Sequence, residues 1–241
     1  MAINLFAWEV KNNFGDMLSR VIVEWVAKRP VQMATFETPG KLIALGSLLH
    51  RTHSGDILWG TGRHGVWGTK YENEHIKNFK NLDVRAVRGP LTRRFLVKSG
   101  IDCPKTYGDP AILMPMIYPK EIAPTKEYGT IPHFAEKSMF RDFIDVQNPW
   151  KQVIDEIVAC KKIISSSLHG IIVAEAYGIP AIWLKCQDEG DFKYRDYYWS
   201  TGRKVTPAKS MDEALSRTPP PVPKFRNREE LINSFPKELK G

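Results

Sequence analysis

The chain has 241 residues, of which 42% are hydrophobic, and it carries a formal net charge of +8 at pH 7. This length and apolar content are enough to bury one large core or two small ones, and they exclude a fibrous or disordered protein. No apolar run is long enough to cross a bilayer, and the opening MAINLFAWEV lacks the features of a signal peptide. The sequence therefore predicts a soluble, globular, cytoplasmic protein.

The charge of the chain indicates its partners, and the spacing of its cysteines indicates the state of their thiols. The basic excess favours anionic partners, such as phosphorylated small molecules or an anionic membrane surface. The basic residues are dispersed and match no nucleic-acid-binding signature, so no nucleic acid partner is expected. Cys103, Cys160 and Cys186 lack the spacing of a disulfide framework or a zinc site, which predicts reduced thiols.

The first half of the chain alternates patterns typical of strands and helices. INLFAWEV is typical of a strand, and apolar positions from Leu18 to Val26 predict a helix capped near Asp16. KLIALGSLL and GDILWGTG predict two more strands. VRAVRGPLTRRFLVKSGI predicts a strand and then a helix from Pro90 that stops at Gly100. This alternation predicts a parallel sheet.

A proline-rich stretch from Pro110 to Pro124 divides the chain. We interpret it as a linker between a lobe of residues 1–114 and a lobe of residues 115–241. In the second lobe, EYGTIPHF and RDFIDVQ are predicted strands. The helix 150–160, the strand KKIIS, the helix 168–177 and the strand IPAIWLK follow them and include a β-α-β unit. FRNREELINSF predicts a short helix near the end.

The stretch ISSSLHGIIVAEAYGIP, residues 164–180, carries the first candidate site. Ser165, Ser166 and Ser167 precede a helix and offer a cap and hydroxyls where backbone N–H groups lack acceptors, an arrangement that suits an anion. His169 lies in the first turn, where the helix dipole disfavours its cationic form and a bound phosphate or carboxylate favours it. The alternative is a histidine with a purely structural role.

Other short stretches supply further candidates. WGTGRHG contains Gly-x-Gly-x-x-Gly, but no amphipathic helix follows it, so a glycine-rich active-site loop is preferred to a dinucleotide site and an ordinary turn is the alternative. NNFGD is either a ligand loop or a turn with a helix cap, and YGDPA favours a turn-forming aspartate. The candidate residues in these three stretches are Asn13, Gly15, Asp16, Gly60, Gly62, Arg63, His64 and Asp109.

Two strand ends and one aromatic run complete the set. VRGP places Arg88 at the carboxyl end of a strand, where a guanidinium can bind a carboxylate or phosphate through two hydrogen bonds. IPHF places His133 at the same edge of the second predicted sheet. The run FKYRDYYWSTG can stack on sugar rings, although packing is the more frequent role of such a run.

The motifs NFGD, WGTG, VRGP, SGI, YGDPAIL, IPHF and ISSSLHGIIVAEAYGIPAIW occur in this order between about residue 12 and about residue 202. In this the chain resembles the polysaccharide pyruvyl transferases of bacterial exopolysaccharide and capsule synthesis. The resemblance implies an α/β, GT-B-like fold with two Rossmann-like lobes whose parallel sheets face a central cleft. It also implies transfer of pyruvate from phosphoenolpyruvate to two sugar hydroxyls, with formation of a cyclic ketal and release of phosphate.

The resemblance also implies roles for particular residues. His169 is the expected catalytic residue. The expected donor-binding residues are Arg88, Ser165, Ser166, Ser167, Leu168, His133 and Arg63. Some relatives have an arginine where this chain has Ser167, so Arg88, Arg63 or Lys185 is expected to substitute for it, unless the donor is held differently.

Expected partners follow from the same resemblance. The donor is phosphoenolpyruvate, and no cofactor or metal is expected. The acceptor is a saccharide, either soluble or linked to a lipid pyrophosphate at the inner face of the membrane, where a basic protein can associate peripherally. Two other functions stay open: a GT-B-like glycosyltransferase with a nucleotide-sugar donor, and a sugar-binding module without catalysis, which Ser167 makes conceivable.

Overall fold

The computed structural model describes residues 2–8, 13–65, 79 and 81–241, and its strands form two parallel sheets. The first sheet has the order β2-β1-β3-β4-β5, with β1 at Ile3–Phe6, β2 at Val31–Met33, β3 at Leu42–Ile43, β4 at Ile57–Trp59 and β5 at Asp83–Ala86. The second has the order β6-β7-β8, with β6 at Gly129–Ile131, β7 at Ile163–Ser165 and β8 at Ala181–Trp183. The predicted α/β class with parallel strands is confirmed.

Eight α-helices accompany these strands in the described ranges. They are α1 Phe14–Ala27, α2 Pro90–Lys98, α3 Met114–Ile117, α4 Trp150–Val158, α5 Leu168–Ala176, α6 Phe192–Ser200, α7 Met211–Ser216 and α8 Arg228–Asn233. Short 3₁₀ turns lie at Leu49–Arg51, Pro110–Leu113, Lys137–Met139 and Lys237–Leu239. None of the helices in these ranges combines the length and the apolar character that crossing a bilayer requires.

The predicted strand in RDFIDVQ is wrong. Residues 141–147 form bends and a turn, although the Ile144 amide donates to the Thr130 carbonyl beside β6. The Asp145 carboxylate accepts a hydrogen bond from the Gln147 amide at 2.9 Å, and its carbonyl accepts one from the Asn148 amide. A side chain that satisfies nearby amides in this way favours a turn over a sheet ladder.

Several boundaries also differ from the predicted ones. The predicted strand KLIALGSLL is ordered as a strand at Leu42–Ile43 alone, and Gly46, with φ of +87°, turns the chain shortly after it. β2 was not predicted. α1 begins at Phe14, before the predicted Asp16 cap, and Asn13 is its N-cap.

The proline-rich stretch after residue 109 begins inside the core. Ala111, Ile112, Leu113 and Met114 are buried and form the 3₁₀ turn and the start of α3, which pack against α1 and α5. Pro110 starts that turn, because a fixed φ suits the first position of a helix as well as it suits a linker. One hydrophobic cluster thus runs from the first sheet to the second. The boundary between lobes at residues 114 and 115 stays a prediction.

The last helix returns to the first sheet. Trp59 at the end of β4 donates from its indole Nε1 to the Leu231 carbonyl at 2.9 Å. The Phe235 ring packs edge-on against Trp59 with 4.9 Å between ring centroids, and Leu231 and Phe235 are buried. The predicted helix in FRNREELINSF is therefore confirmed at α8, and it covers the Trp59 side of the first sheet.

Candidate active site

A cleft of about 380 Å³ lies between residues that follow the carboxyl ends of strands in both sheets. In open parallel sheets this edge is where ligands bind, because loops and helix N-termini gather there. The lining residues are Trp8, Asn13, Asp16, Gly46, Ser47, Leu48, His50, Arg51, His64, His133, Phe134, Ser167, Leu168, His169, Glu189 and Lys193.

His169 reaches the cleft from the first turn of α5. β7 ends at Ser165, and Ser167 is the N-cap of α5, with its side chain accepting from the Gly170 amide at 3.5 Å. The imidazole lies against Gly15 in the first turn of α1, where a Cβ atom would come within 2.0 Å of Nδ1. Two helix N-termini therefore converge on His169, and both favour negative charge nearby.

Asp109 supports His169 from the interior. The Asp109 side chain is fully buried, and its Oδ1 accepts a hydrogen bond from the Ala111 amide at 3.0 Å. This is the turn-forming role that the sequence favoured. Its other oxygen, Oδ2, lies 3.4 Å from Nε2 of His169.

Asp16 lies on the α1 side of the cleft. Its Oδ2 accepts a hydrogen bond from Nδ2 of Asn13 at 2.7 Å, and its Oδ1 accepts one from the Trp8 amide at 3.3 Å. Burial raises the pKa of Asp16 to about 6, although the charge of His169 and the hydrogen bond from Asn13 oppose this rise. A carboxyl group with such a pKa can exchange a proton near neutrality.

A cluster of charged groups centred on Glu189 forms a further part of the cleft. The Oε2 atom of Glu189 lies 2.9 Å from Nε2 of His64 and 2.7 Å from Nζ of Lys193, and Oε1 lies 3.5 Å from Nε2 of His133. Burial alone would raise the pKa of Glu189, but the hydrogen bond from His64 and the charge of Lys193 outweigh it and lower the pKa to about 2. Burial and the charge of Lys193 lower the pKa of His133 to about 4, although the charge of Glu189 opposes them.

Arg51 brings a guanidinium to the remaining side of the cleft. Its guanidinium carbon lies 5.1 Å from the centroid of the Trp8 ring and 5.5 Å from that of Phe36, which is the range of cation–π contacts. Burial and the charges of Arg51 and His64 lower the pKa of neighbouring His50 to about 4. Neither residue was among the candidates from the sequence, although both directly follow the predicted strand KLIALGSLL and the strand-end argument applies to them.

The three cations expected to replace the arginine of some relatives do not line this cleft. The Arg88 guanidinium is fully buried and donates to Asp196 at 3.2 Å, to Ser47 at 2.7 Å and to the Arg63 carbonyl at 2.6 Å. The Arg63 side chain lies over the Phe95 ring at 4.0 Å. Lys185 pairs with Asp191 beside a smaller cavity. The donors of Arg88 are used within the protein, and its direct contact with the donor substrate stays a prediction.

The serines before α5 divide into two roles. Ser165 Oγ donates to the Ile131 carbonyl at 2.8 Å, and Ser166 Oγ donates to Glu136 at 2.8 Å while accepting from the His133 amide at 2.9 Å. Both are fully buried and hold the strand ends together, and their contact with the donor stays a prediction. Ser167 and Leu168 line the cleft as expected.

The two candidate glycines of WGTG serve packing. A Cβ atom at Gly62 would come within 2.5 Å of the Arg88 guanidinium, and one at Gly60 would come within 2.3 Å of Pro110. The aromatic run is a packed helix as well, since Tyr194, Tyr197 and Tyr198 are buried and Tyr194 stacks on Trp183 with centroids 4.7 Å apart. Its role in packing is confirmed.

The cleft thus contains some of the predicted site residues and not others. The cleft-lining members of that set are Asn13, Asp16, His64, His133, Ser167, Leu168 and His169. Gly15 and Asp109 contact His169. Across the described ranges, no three His, Cys, Asp or Glu side chains form a metal-binding group, and the expected independence of a metal or cofactor stays a prediction.

The fold and the cleft define an α/β protein whose ligand site lies at the carboxyl ends of parallel strands. Residues 14–188, well over half of the chain, match the polysaccharide pyruvyl transferase family, and the chain belongs to that family. The resemblance noted in the sequence is therefore confirmed, and with it the class of enzyme.

Two proteins that are similar to this chain are longer than it. An uncharacterized protein of Acanthamoeba polyphaga mimivirus is 30% identical over an alignment of 207 residues, and the match covers 77% of this chain and 69% of that protein. The succinoglycan biosynthesis protein ExoV of Rhizobium meliloti (strain 1021) is 27% identical over an alignment of 224 residues, and the match covers 84% of this chain and 66% of ExoV. The chain spans about two thirds of the length of each. No solved structure matches it.

Proposed function

We propose that this protein transfers pyruvate from phosphoenolpyruvate to two hydroxyls of a sugar in a bacterial polysaccharide or its lipid-linked precursor. The products are a cyclic pyruvate ketal and inorganic phosphate. Membership of the polysaccharide pyruvyl transferase family supports the reaction class. The observation that carries the proposal is the position of His169, which lies in the cleft beside Gly15 and within 3.4 Å of the Asp109 carboxylate.

The cleft suits a small ligand with two anionic groups. Phosphoenolpyruvate carries a phosphate and a carboxylate, and each favours a cation or a helix N-terminus. The start of α5 offers N–H groups beside Ser167, and Arg51 and Lys193 supply positive charge. Arg51 therefore takes the donor-binding role that the family resemblance implied for Arg88, and it compensates for the absence of an arginine at position 167.

The chemistry needs an acid and a base. His169 gives a proton to C3 of the enol, whose double-bond electrons form the new C–H bond and leave C2 electrophilic. One sugar hydroxyl attacks C2, phosphate leaves, and the second hydroxyl closes the ketal. One of the two hydroxyl protons returns to the enzyme and replaces the proton that His169 gave to C3. The other leaves with phosphate.

Asp16 is the proposed base for the attacking hydroxyl. It lines the cleft on the side of α1, and its pKa of about 6 leaves most of it ionised at neutral pH while it still accepts a proton readily. Trp8 and Phe134 line the same cleft and offer aromatic faces to the sugar. They replace the buried aromatic run of α6 as the sugar-stacking candidates.

The wider setting is proposed on the same basis. We place the two sheets in a GT-B-like arrangement of two lobes, residues 1–114 and 115–241, around the cleft. The enzyme works in the cytoplasm, without a cofactor, and its positive charge allows peripheral contact with the inner membrane face where a lipid-linked acceptor lies.

Release of inorganic phosphate from phosphoenolpyruvate tests the proposal. The assay compares the wild type with His169→Gln in the presence of galactose-, glucose- and mannose-terminated acceptors. His53→Gln is the matched control, because His53 packs on Phe36 outside the cleft. We expect acceptor-dependent release that falls on the order of 10²-fold or more in His169→Gln and is unchanged in the control.

Two results would contradict the proposal. Unchanged release in a folded His169→Gln protein would remove His169 from the chemistry. Saturable binding of a nucleotide sugar without binding of phosphoenolpyruvate would favour the glycosyltransferase instead, and sugar binding without turnover of any donor would favour a binding module.

A further inference from the structure

Two buried polar atoms face each other behind the cleft. Oδ2 of Asp109 and Nε2 of His169 are 3.4 Å apart, and neither has a hydrogen-bond partner among the described residues. The Asp109 side chain is fully buried, whereas the His169 side chain is 11% exposed. A buried carboxylate oxygen and a buried ring nitrogen are each costly when unpaired, so their approach calls for an explanation.

A proton on Nε2 satisfies both atoms at once. With the proton there, the imidazole donates to a carboxylate, and a slight closing of the 3.4 Å gap gives a charge-assisted hydrogen bond. With the proton on Nδ1 instead, the lone pair of Nε2 would face the carboxylate and both atoms would stay unpaired. The surroundings therefore select one of the two neutral tautomers of His169.

We propose that Asp109 is a positioning residue for His169: it holds a proton on Nε2 and leaves Nδ1, beside Gly15, as the nitrogen that exchanges a proton with the reactants. The inference rests on the proposed function for its catalytic meaning. Asp109 itself touches neither donor nor acceptor, because it is fully buried behind the histidine.

The other charges around His169 do not take over this role. Asp16 faces His169 from α1, and the positive charge of Lys193 on α6 lowers the pKa of Asp16. Glu189 is engaged by His64, His133 and Lys193. Among the residues that the structure describes, Asp109 is the carboxylate that lies within 4 Å of Nε2.

Protons balance through a turnover. The imidazolium gives the Nδ1 proton to C3 of the enol and becomes neutral with its Nε2 proton retained opposite Asp109. The hydroxyl that attacks C2 then returns a proton to Nδ1, directly or through Asp16. Asp109 stays ionised throughout, and no oxidant or reductant is required.

The first test reads the tautomer without any substrate. Nitrogen-15 NMR of histidine-labelled protein resolves the protonation of each ring nitrogen, and the chain has six histidines. Comparison with His169→Gln identifies the His169 signals. We expect the neutral form of His169 to carry its proton on Nε2 in the wild type. A neutral His169 with its proton on Nδ1 would overturn the proposal, whatever the activity of the enzyme.

The second test is Asp109→Asn. The asparagine oxygen keeps the bond from the Ala111 amide, while its NH₂ group faces Nε2 and forces that nitrogen to accept. We expect the proton to move to Nδ1, kcat to fall on the order of 10²-fold or more, and KM for phosphoenolpyruvate to change little.

Asp145→Asn is the matched control. Asp145 accepts from the Gln147 amide two residues on, as Asp109 does from Ala111, but it lies outside the cleft. Equal losses of kcat in the two variants, or an unchanged tautomer in a folded Asp109→Asn protein, would assign Asp109 a structural role. An inactive wild type with its Nε2 proton in place would contradict the proposed function and leave the tautomer assignment standing.

Discussion

Gly15 lets α1 approach His169, the proposed catalytic histidine. A Cβ atom there would overlap Nδ1 of His169 at 2.0 Å, so Gly15→Ala must displace the ring. Helix propensity gains up to about 1 kcal/mol from this change, while overpacking costs about 1–3 kcal/mol. We expect an activity loss of at least about tenfold, because small misplacements of catalytic groups are expensive, in a protein whose unfolding free energy changes by less than about 2 kcal/mol. Activity assays and urea unfolding check this.

Arg20→Ala is the control for Gly15→Ala. Arg20 lies on the same helix, its side chain is 58% exposed, and it pairs with Glu24 one turn on. Loss of an exposed pair changes stability little. Full activity in both variants would mean that the approach of the two helices does not constrain His169.

Asp16 links stability to pH. Folding raises its pKa from 3.8 to about 6, so the folded state holds the proton more tightly and this stabilisation, present below pH 3.8, is lost as the pH rises through 6. Asp16→Asn removes the dependence. The unfolding free energy of the variant relative to the wild type should therefore increase by about 2–3 kcal/mol between pH 4 and pH 8.

Urea unfolding at several pH values measures this change, and groups common to both proteins cancel in the comparison. If the difference in unfolding free energy between the variant and the wild type stays constant across pH, burial does not disfavour the charged form of Asp16. The Asp16→Asn variant should gain stability relative to the wild type as the pH rises from 4 to 8. Because Asp16 is also the proposed base, pyruvate transfer by this variant is expected to decline.

At the scale of elements, Arg88 and Asp196 join α2 to α6. Asp196 accepts hydrogen bonds from the Leu91 and Thr92 amides at the start of α2 and lies 3.2 Å from the Arg88 guanidinium. Removal of one partner of a buried pair costs about 3–5 kcal/mol, because it leaves the other charge uncompensated.

We therefore expect Arg88→Ala to lower the unfolding free energy by about 3–5 kcal/mol, whereas Arg94→Ala on the exposed side of α2 changes it little. Denaturation of both variants measures the difference. An Arg88→Ala protein of normal stability with a greatly raised KM for phosphoenolpyruvate would restore the direct donor contact that the sequence suggested.

The sequence predicted elements best where the determinants are local. The β7–α5 unit, its Ser167 cap and the position of His169 follow from spacing within one short stretch. Residues 141–147 have the composition of a strand, yet the Asp145 side chain turns the chain. The sequence did not predict that Arg51, Glu189 and Lys193 line the cleft or that Arg88 is fully buried, because the direction of a side chain at a strand end depends on its tertiary partners.

At the scale of the whole molecule, one core connects both sheets, and the C-terminal helix closes on the first. Phe235 is buried against Trp59, and replacement of a buried phenylalanine by alanine costs about 3–5 kcal/mol. We expect Phe235→Ala to lower the stability of the whole chain in one transition. Coincident unfolding curves from far-ultraviolet circular dichroism and tryptophan fluorescence would confirm this, and two separate transitions would contradict it.

Helix α5 is buried at every one of its nine positions. It has no solvent-exposed face, so any rotation of the helix about its own axis would disturb its packing. One residue added to the turn of Ser165, Ser166 and Ser167 would rotate α5 by about 100° relative to β7 and carry His169 out of the cleft. The number of residues in that turn therefore fixes where His169 lies, and we expect insertions and deletions to be tolerated in surface loops but rejected here.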